Sequence, residues 1–178
     1  DINKDGLPDI YFTANSAGNN KLYINKGNFK FEDVTKKAGV SGSADWCAGT
    51  VMADINGDGW LDIYVSAISN QFGLKGHNEL FLNNGDGTFR EQSQAVGLDF
   101  SGLNGQSAFF DYDHDGDLDC YLVNQSYHPH SNVLDTSFRN ETDTIAGDVL
   151  LRNDISTIGR FTNVTREAGL YNSKLGYG

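Results

Sequence analysis

Three stretches of this chain carry oxygen-bearing side chains at alternate positions: Asp1, Asn3 and Asp5; Asp54, Asn56 and Asp58; Asp111, Asp113 and Asp115. Each run continues with a glycine at position 6 and closes on an aspartate at position 9, so that Asp9, Asp62 and Asp119 stand in register. Calcium is a hard cation that takes six to eight oxygens, and oxygens at positions 1, 3 and 5 with a main-chain carbonyl at 7 can wrap one ion. The glycine permits the sharp turn. The expected ligands are Asp1, Asn3, Asp5, the Leu7 carbonyl and Asp9 in the first loop. In the second they are Asp54, Asn56, Asp58, the Trp60 carbonyl and Asp62, and in the third Asp111, Asp113, Asp115, the Asp117 carbonyl and Asp119. One calcium ion is expected per loop. The third loop has one more carboxylate among its side-chain ligands than the others, so it is expected to bind most tightly.

The first half of this pattern also occurs in EF-hands, where a bidentate glutamate at position 12 and a following helix complete the site. Here position 12 is Phe12, Val65 or Leu122, and the flanking residues alternate with period two. The helix-loop-helix reading therefore fails. A single acidic loop is as well explained by a solvated turn; three in register are not.

The elements that must hold these loops are legible as a repeat, with offsets of 53 residues from Asp1 to Asp54 and 57 from Asp54 to Asp111. Each loop is followed by a strand-like run, Ile10-Tyr11-Phe12, Ile63-Tyr64-Val65 and Cys120-Tyr121-Leu122-Val123. A second run follows, Leu22 to Asn25, Leu80 to Asn83 and Leu150 to Asn153, closed by turn residues such as Asn84-Gly85-Asp86-Gly87. Three decamers come next, Phe31 to Val40, Phe89 to Leu98 and Phe161 to Leu170. In each, the first half reads as an outer strand and the second as one helical turn ended by glycine. A further strand precedes the second and third loops, at Thr50 to Ala53 and Ser107 to Phe110.

Four short antiparallel strands per repeat are the pattern of propeller blades. The expected fold is all-β: three four-stranded antiparallel blades cut from a longer chain. Residues 1–40 form a partial blade, 41–98 a complete blade, 99–170 a complete blade with a long insertion at 125–147, and 171–178 the start of the next. Asp1 already stands first in a motif, so the natural N-terminus is expected upstream. From Asp9 to Leu22 is 13 residues, from Asp62 to Leu80 is 18 and from Asp119 to Leu150 is 31, so insertions are confined to one connection. In repeat proteins such insertions map to one face, often the binding face.

The formal net charge of −11 argues against nucleic acid and anionic membranes as partners, because phosphate binding needs clustered Lys and Arg. No apolar run approaches membrane-spanning length, and no charged-then-apolar leader opens the chain. Cys47 and Cys120 are expected as buried free thiols rather than as a redox framework.

The acidic loops together with LYIN, LFLN and the FEDVTKKAGV-type decamers resemble FG-GAP/VCBS repeats, the blades of integrin-α-like propellers. The resemblance covers essentially the whole chain. The spacing and the decamer endings are most similar to the branch that includes cartilage acidic protein and bacterial ASPIC/UnbV-containing proteins. The resemblance implies seven blades, calcium in the acidic loops, extracellular, secreted or outer-surface placement, and a role in adhesion or assembly.

Other groups carry less. His128 and His130 have no third ligand at recognisable spacing, so a polar loop is the expected reading. No Gly-x-Ser-x-Gly elbow, Walker loop, His-Glu-x-x-His or Cys-x-x-Cys is present, and the chain is not expected to be an enzyme. Trp46, Trp60 and Tyr127 could stack on sugar rings, which keeps a glycan-binding module as an alternative. The non-catalytic part of a polysaccharide-active enzyme is another. The sequons at Asn124, Asn140 and Asn163 carry little weight. The primary expectation is a calcium-stabilised scaffold for a protein or glycan partner, packed against the remaining blades of its parent chain.

Overall fold

The computed structural model describes residues 1–126 and 142–170. The chain folds as three successive antiparallel sheets. The first contains β1 (Ile10–Phe12), β2 (Lys21–Asn25) and β3 (Phe31–Asp33). The second contains β4 (Cys47–Ala53), β5 (Asp62–Ala67), β6 (Glu79–Asn83) and β7 (Phe89–Glu91). The third contains β8 (Asn104–Phe110), β9 (Asp119–Asn124), β10 (Val149–Asp154) and β11 (Arg160–Asn163). Within each sheet, strands that follow one another in sequence are neighbours in space. Every acidic loop therefore enters the strand β1, β5 or β9, and the second and third loops also leave the inner strands β4 and β8.

The register repeats as the sequence does. Ile10 faces Tyr23, Ile63 faces Phe81 and Cys120 faces Leu151. Both inner strands are interrupted by a register shift, between Cys47 and Thr50 in β4 and between Asn104 and Gln106 in β8. Each shift carries a glycine, Gly49 or Gly105, and there the two strands meet so closely that no side chain would fit at Gly49.

Two apolar cores form between the sheets rather than within them. The first joins Leu22, Ile24 and Val40 to Ile63, Val65 and Phe81. The second joins Tyr64, Leu80 and Leu98 to Cys120, Leu122 and Leu151. Alternation along a strand sends its two faces to opposite neighbours, so strand β5, buried throughout, serves both cores. Each fully buried Leu, Ile or Val side chain contributes about 1.5–3 kcal/mol. Cys47 lies in the first core and Cys120 in the second, both as free thiols.

The decamers adopt the expected shape in two copies. Helical turns α1 (Thr35–Ala38) and α2 (Ser93–Val96) end at Gly39 and Gly97, with φ of 78° and 76°. The third decamer makes a hydrogen-bonded turn ending at Gly169. A third short helix, α3 (Ile155–Ile158), lies instead between β10 and β11, where the second sheet has its Asn84 to Gly87 turn. No helix among the described residues is long and apolar enough to cross a membrane. Tyr127, His128, His130 and most of the 125–147 insertion lie outside the described residues, as do Asn140 and residues 171–178.

Candidate metal centres

The three acidic loops are built by one set of hydrogen bonds. The position-1 carboxylate accepts from the backbone N–H groups at positions 5 and 6: Asp5 and Gly6 bond Asp1 at 3.1 and 2.8 Å, and Asp58 and Gly59 bond Asp54 at 3.0 and 2.8 Å. In the third loop Asp115 and Gly116 bond Asp111 at 3.1 and 3.2 Å. The position-5 carboxylate in turn accepts the N–H of position 7, from Leu7, Trp60 or Asp117. Each oxygen of the position-1 carboxylate accepts one N–H and keeps a further lone pair for a ligand.

This wrapping needs left-handed backbone at two positions. Gly6, Gly59 and Gly116 supply it at position 6, with φ of 83°, 85° and 97°. Position 4 is left-handed as well, at Lys4, Gly57 and His114, with φ of 59°, 71° and 63°. Only Gly57 signals this in the sequence.

Position 9 does more than close the loop. Asp62 accepts the Ile55 N–H on one oxygen at 2.9 Å and the Asn83 N–H on the other at 2.9 Å. Asp9 does the same with Ile2 and Asn25, and Asp119 with Tyr112 and Asn153. Each of these carboxylates ties its loop to the strand after the one that the loop enters, β2, β6 or β10. Asp62 and Asp119 are fully buried. Burial pushes Asp62 up to about 6 against the pull of those two N–H groups, with Asp58 and Asp54 adding repulsion. Burial raises Asp119 in the same way.

The loops differ at position 3. In the first two, the Asn3 and Asn56 amides donate to Asp5 and Asp58 at 2.9 Å and separate the oxygens. The Leu7 N–H, and then the Asn3 amide, hold Asp5 below the usual carboxylate range. In the third loop Asp113 has no amide to offer, and carboxylate oxygens of Asp111, Asp113 and Asp115 lie within 4.8 Å of one another. Asp117 joins them. Its Oδ1 is buried without a hydrogen-bond partner among the described residues, and burial, then Asp115 and Asp119, push its carboxyl up to about 6. Sequence reasoning assigned Asp117 only its carbonyl and missed this side chain, although a fourth acid at position 7 sets this loop apart from the Leu7 and Trp60 loops. The ion pairs among the described residues lie elsewhere, at Lys21–Asp33, Lys26–Glu32 and Arg152–Asp154.

This donor set fits a hard divalent cation: oxygen ligands only, repulsion that no ion pair among the described residues neutralises, and an orphaned buried carboxylate oxygen. In the first two loops the asparagine amide would have to turn its Oδ1 inward to join the ligands. A cleft of about 260 Å³ separates the second and third loops, between Asp54, Asn56, Asp117 and Asn153. Lys4 Nζ sits 3.9 Å from the centroid of the half-buried Trp60 ring and Gly85 packs against that ring, contacts with which a sugar would compete.

The FG-GAP-like repeat model matches residues 1–65 and again 67–122. The chain belongs to the FG-GAP-like repeat family. The first match holds the first two acidic loops and the second match the third. The third FG-GAP loop, Asp111 to Asp119, falls at the end of the second match. No characterised protein matches the chain at a significant level.

Proposed function

We propose that this FG-GAP chain is part of a calcium-stabilised extracellular β-propeller that serves as a protein-interaction or adhesion scaffold, with no catalytic role. The observation that carries the calcium reading is the convergence of Asp111, Asp113 and Asp115 within 4.8 Å, in the loop that also holds the orphaned oxygen of Asp117. An ion there would replace repulsion with shared coordination and lock the connection into β9, as its counterparts would for β5 and β1. Millimolar calcium saturates even weak loops, which favours an exported protein on a surface or in the medium. Packing through cores between successive sheets supports closure into a ring of blades, seven in this reading. The decamers favour the branch with cartilage acidic protein and ASPIC/UnbV-containing proteins. Nucleic acid is disfavoured as partner by the charge of −11.

The test is a thermal melt of the intact protein in excess EGTA and again with calcium, alongside the triple variant Asp5→Ala, Asp58→Ala, Asp115→Ala. A calcium-dependent rise that the variant loses supports the reading. An unchanged melt of the native protein refutes it.

A second reading, a glycan-binding module, draws on a cleft of about 220 Å³ at the end of the sheets opposite the acidic loops. Trp46, Phe72 and Leu74 line it with Gln71 and Gln125, an aromatic surface edged by amides suited to a neutral saccharide. Trp46→Ala should abolish binding on a glycan array if this reading holds.

A further inference from the structure

One side chain in each complete sheet contacts two acidic loops at once. Asn83 receives its position through its backbone N–H, which bonds Asp62 of its own loop, and through its Oδ1, which accepts the Gly85 N–H at 2.9 Å. Its amide then donates twice: to the Leu61 carbonyl of its own loop at 3.1 Å, and to the Ile2 carbonyl of the preceding loop at 3.0 Å. Asn153 repeats the arrangement, donating to Leu118 at 3.1 Å and to Ile55 of the preceding loop at 3.3 Å. Only an asparagine offers one acceptor and two donors on so short a stem.

The residue it reaches is the second of the acidic loop, and that residue is anchored three ways. The Ile2 N–H donates to Asp9 at 2.8 Å, its carbonyl accepts from Asn83, and its side chain is buried in the core between the first two sheets. Ile55 is held likewise by Asp62, Asn153 and the second core. A continuous path therefore runs from the half-buried Asp9 through Ile2, Asn83, Asp62, Ile55 and Asn153 to Asp119, buried from Ile2 onward, with Asn83 and Asn153 each 4% exposed.

We propose that Asn83 and Asn153 are positioning residues that couple each acidic loop to the one before it, so that cation binding along the chain is positively cooperative. The inference rests on the calcium reading. An ion in the second loop immobilises Asp62, hence Asn83, hence the Ile2 peptide and Asp9. The first loop is then ordered before its own ion arrives and loses less freedom on binding. Linkage makes the effect reciprocal. Direct repulsion between two dications has the opposite sign, so the sign of the coupling separates the two mechanisms.

The experiment is calcium titration of the intact protein labelled at isoleucine methyl groups, with Ile2 reporting the first loop and Ile55 the second by NMR. Asp58→Ala disables the second loop at an exposed position and leaves Asn83 in place. It should raise the calcium midpoint read at Ile2 by about fivefold or more. In an Asn83→Ser background, Asp58→Ala should leave the Ile2 midpoint where Asn83→Ser alone puts it. A merely structural Asn83 would shift midpoints but preserve the Asp58→Ala effect, which overturns the proposal. Asp115→Ala read at Ile55 repeats the test through Asn153, should Asn83→Ser fail to fold. An Ile2 midpoint unchanged or lowered by Asp58→Ala overturns the coupling alone. Silence of both methyl reporters in the native protein overturns the calcium reading and the coupling with it.

Discussion

The Tyr64 hydroxyl donates to the Leu98 carbonyl at 2.8 Å and accepts the Asn78 amide at 2.9 Å, all three deep between the second and third sheets. Tyr11 makes the equivalent bond to Val40 at 2.7 Å. The tyrosine of the strand after each of these acidic loops thus pins the end of its own decamer, where the chain turns toward the next sheet. Tyr64→Phe keeps the ring but leaves a buried carbonyl and amide short of a partner, at a cost of about 1–3 kcal/mol. Urea unfolding should show a lowered midpoint with an unchanged slope; an unaltered midpoint would mean the bond contributes nothing net.

Asp113→Asn converts the third loop to the pattern of the first two. Without calcium it should raise the melting temperature, because one of three crowded carboxylates is gone. Calcium affinity at that loop should fall roughly tenfold, about 1.4 kcal/mol. Opposite signs in EGTA and in calcium are the diagnostic result, read by melts under both conditions.

Acidity should stabilise the calcium-free protein over a defined window. Asp62 and Asp117 titrate at about 6 in the folded chain, whereas an unfolded aspartate titrates near about 3.9. Between those values the folded state holds more protons, so stability falls as pH rises from about 4 to about 6. Burial raises Glu79 and Asp119 as well, in the same sense. Asp5, Asp33, Asp86 and Asp154 are lowered by hydrogen bonds, so their contribution is lost only on further acidification. The melting temperature in EGTA should be higher at pH 5 than at pH 7, and Asp62→Asn should flatten the difference. Saturating calcium should reverse the slope, since ions must displace these protons.

Gly49→Ala tests the contact between the inner strands. An added Cβ would collide with Gln106 Oε1 and lie 2.7 Å from the Gly105 carbonyl. The side chain can move but the backbone cannot do so cheaply, so the variant should lose about 1–3 kcal/mol. Adding Gln106→Ala should restore only part of it, which a double-mutant cycle in urea would measure.

Sequence alone determined the β-repeat, the strand runs, the acidic loops and the helical turns ending at Gly39 and Gly97. These follow from local chemistry: alternation along a strand, oxygens at alternate positions, and glycine where the backbone turns left-handed. The left-handed Lys4 and His114 went unread because neither residue type announces that conformation, and α3 went unread because four residues are too few to distinguish a helical period from chance. Tertiary structure decided the rest. Asn83 meets Ile2 across 81 positions and Asn153 meets Ile55 across 98, and in each pair the acceptor is a main-chain carbonyl that every residue carries. The burial that raises Asp62, and the lack of any partner for Asp117 Oδ1 among the described residues, likewise arise only when the folded chain closes around them. Spacing in one dimension specifies which groups are available, and packing in three specifies which of them are left facing one another.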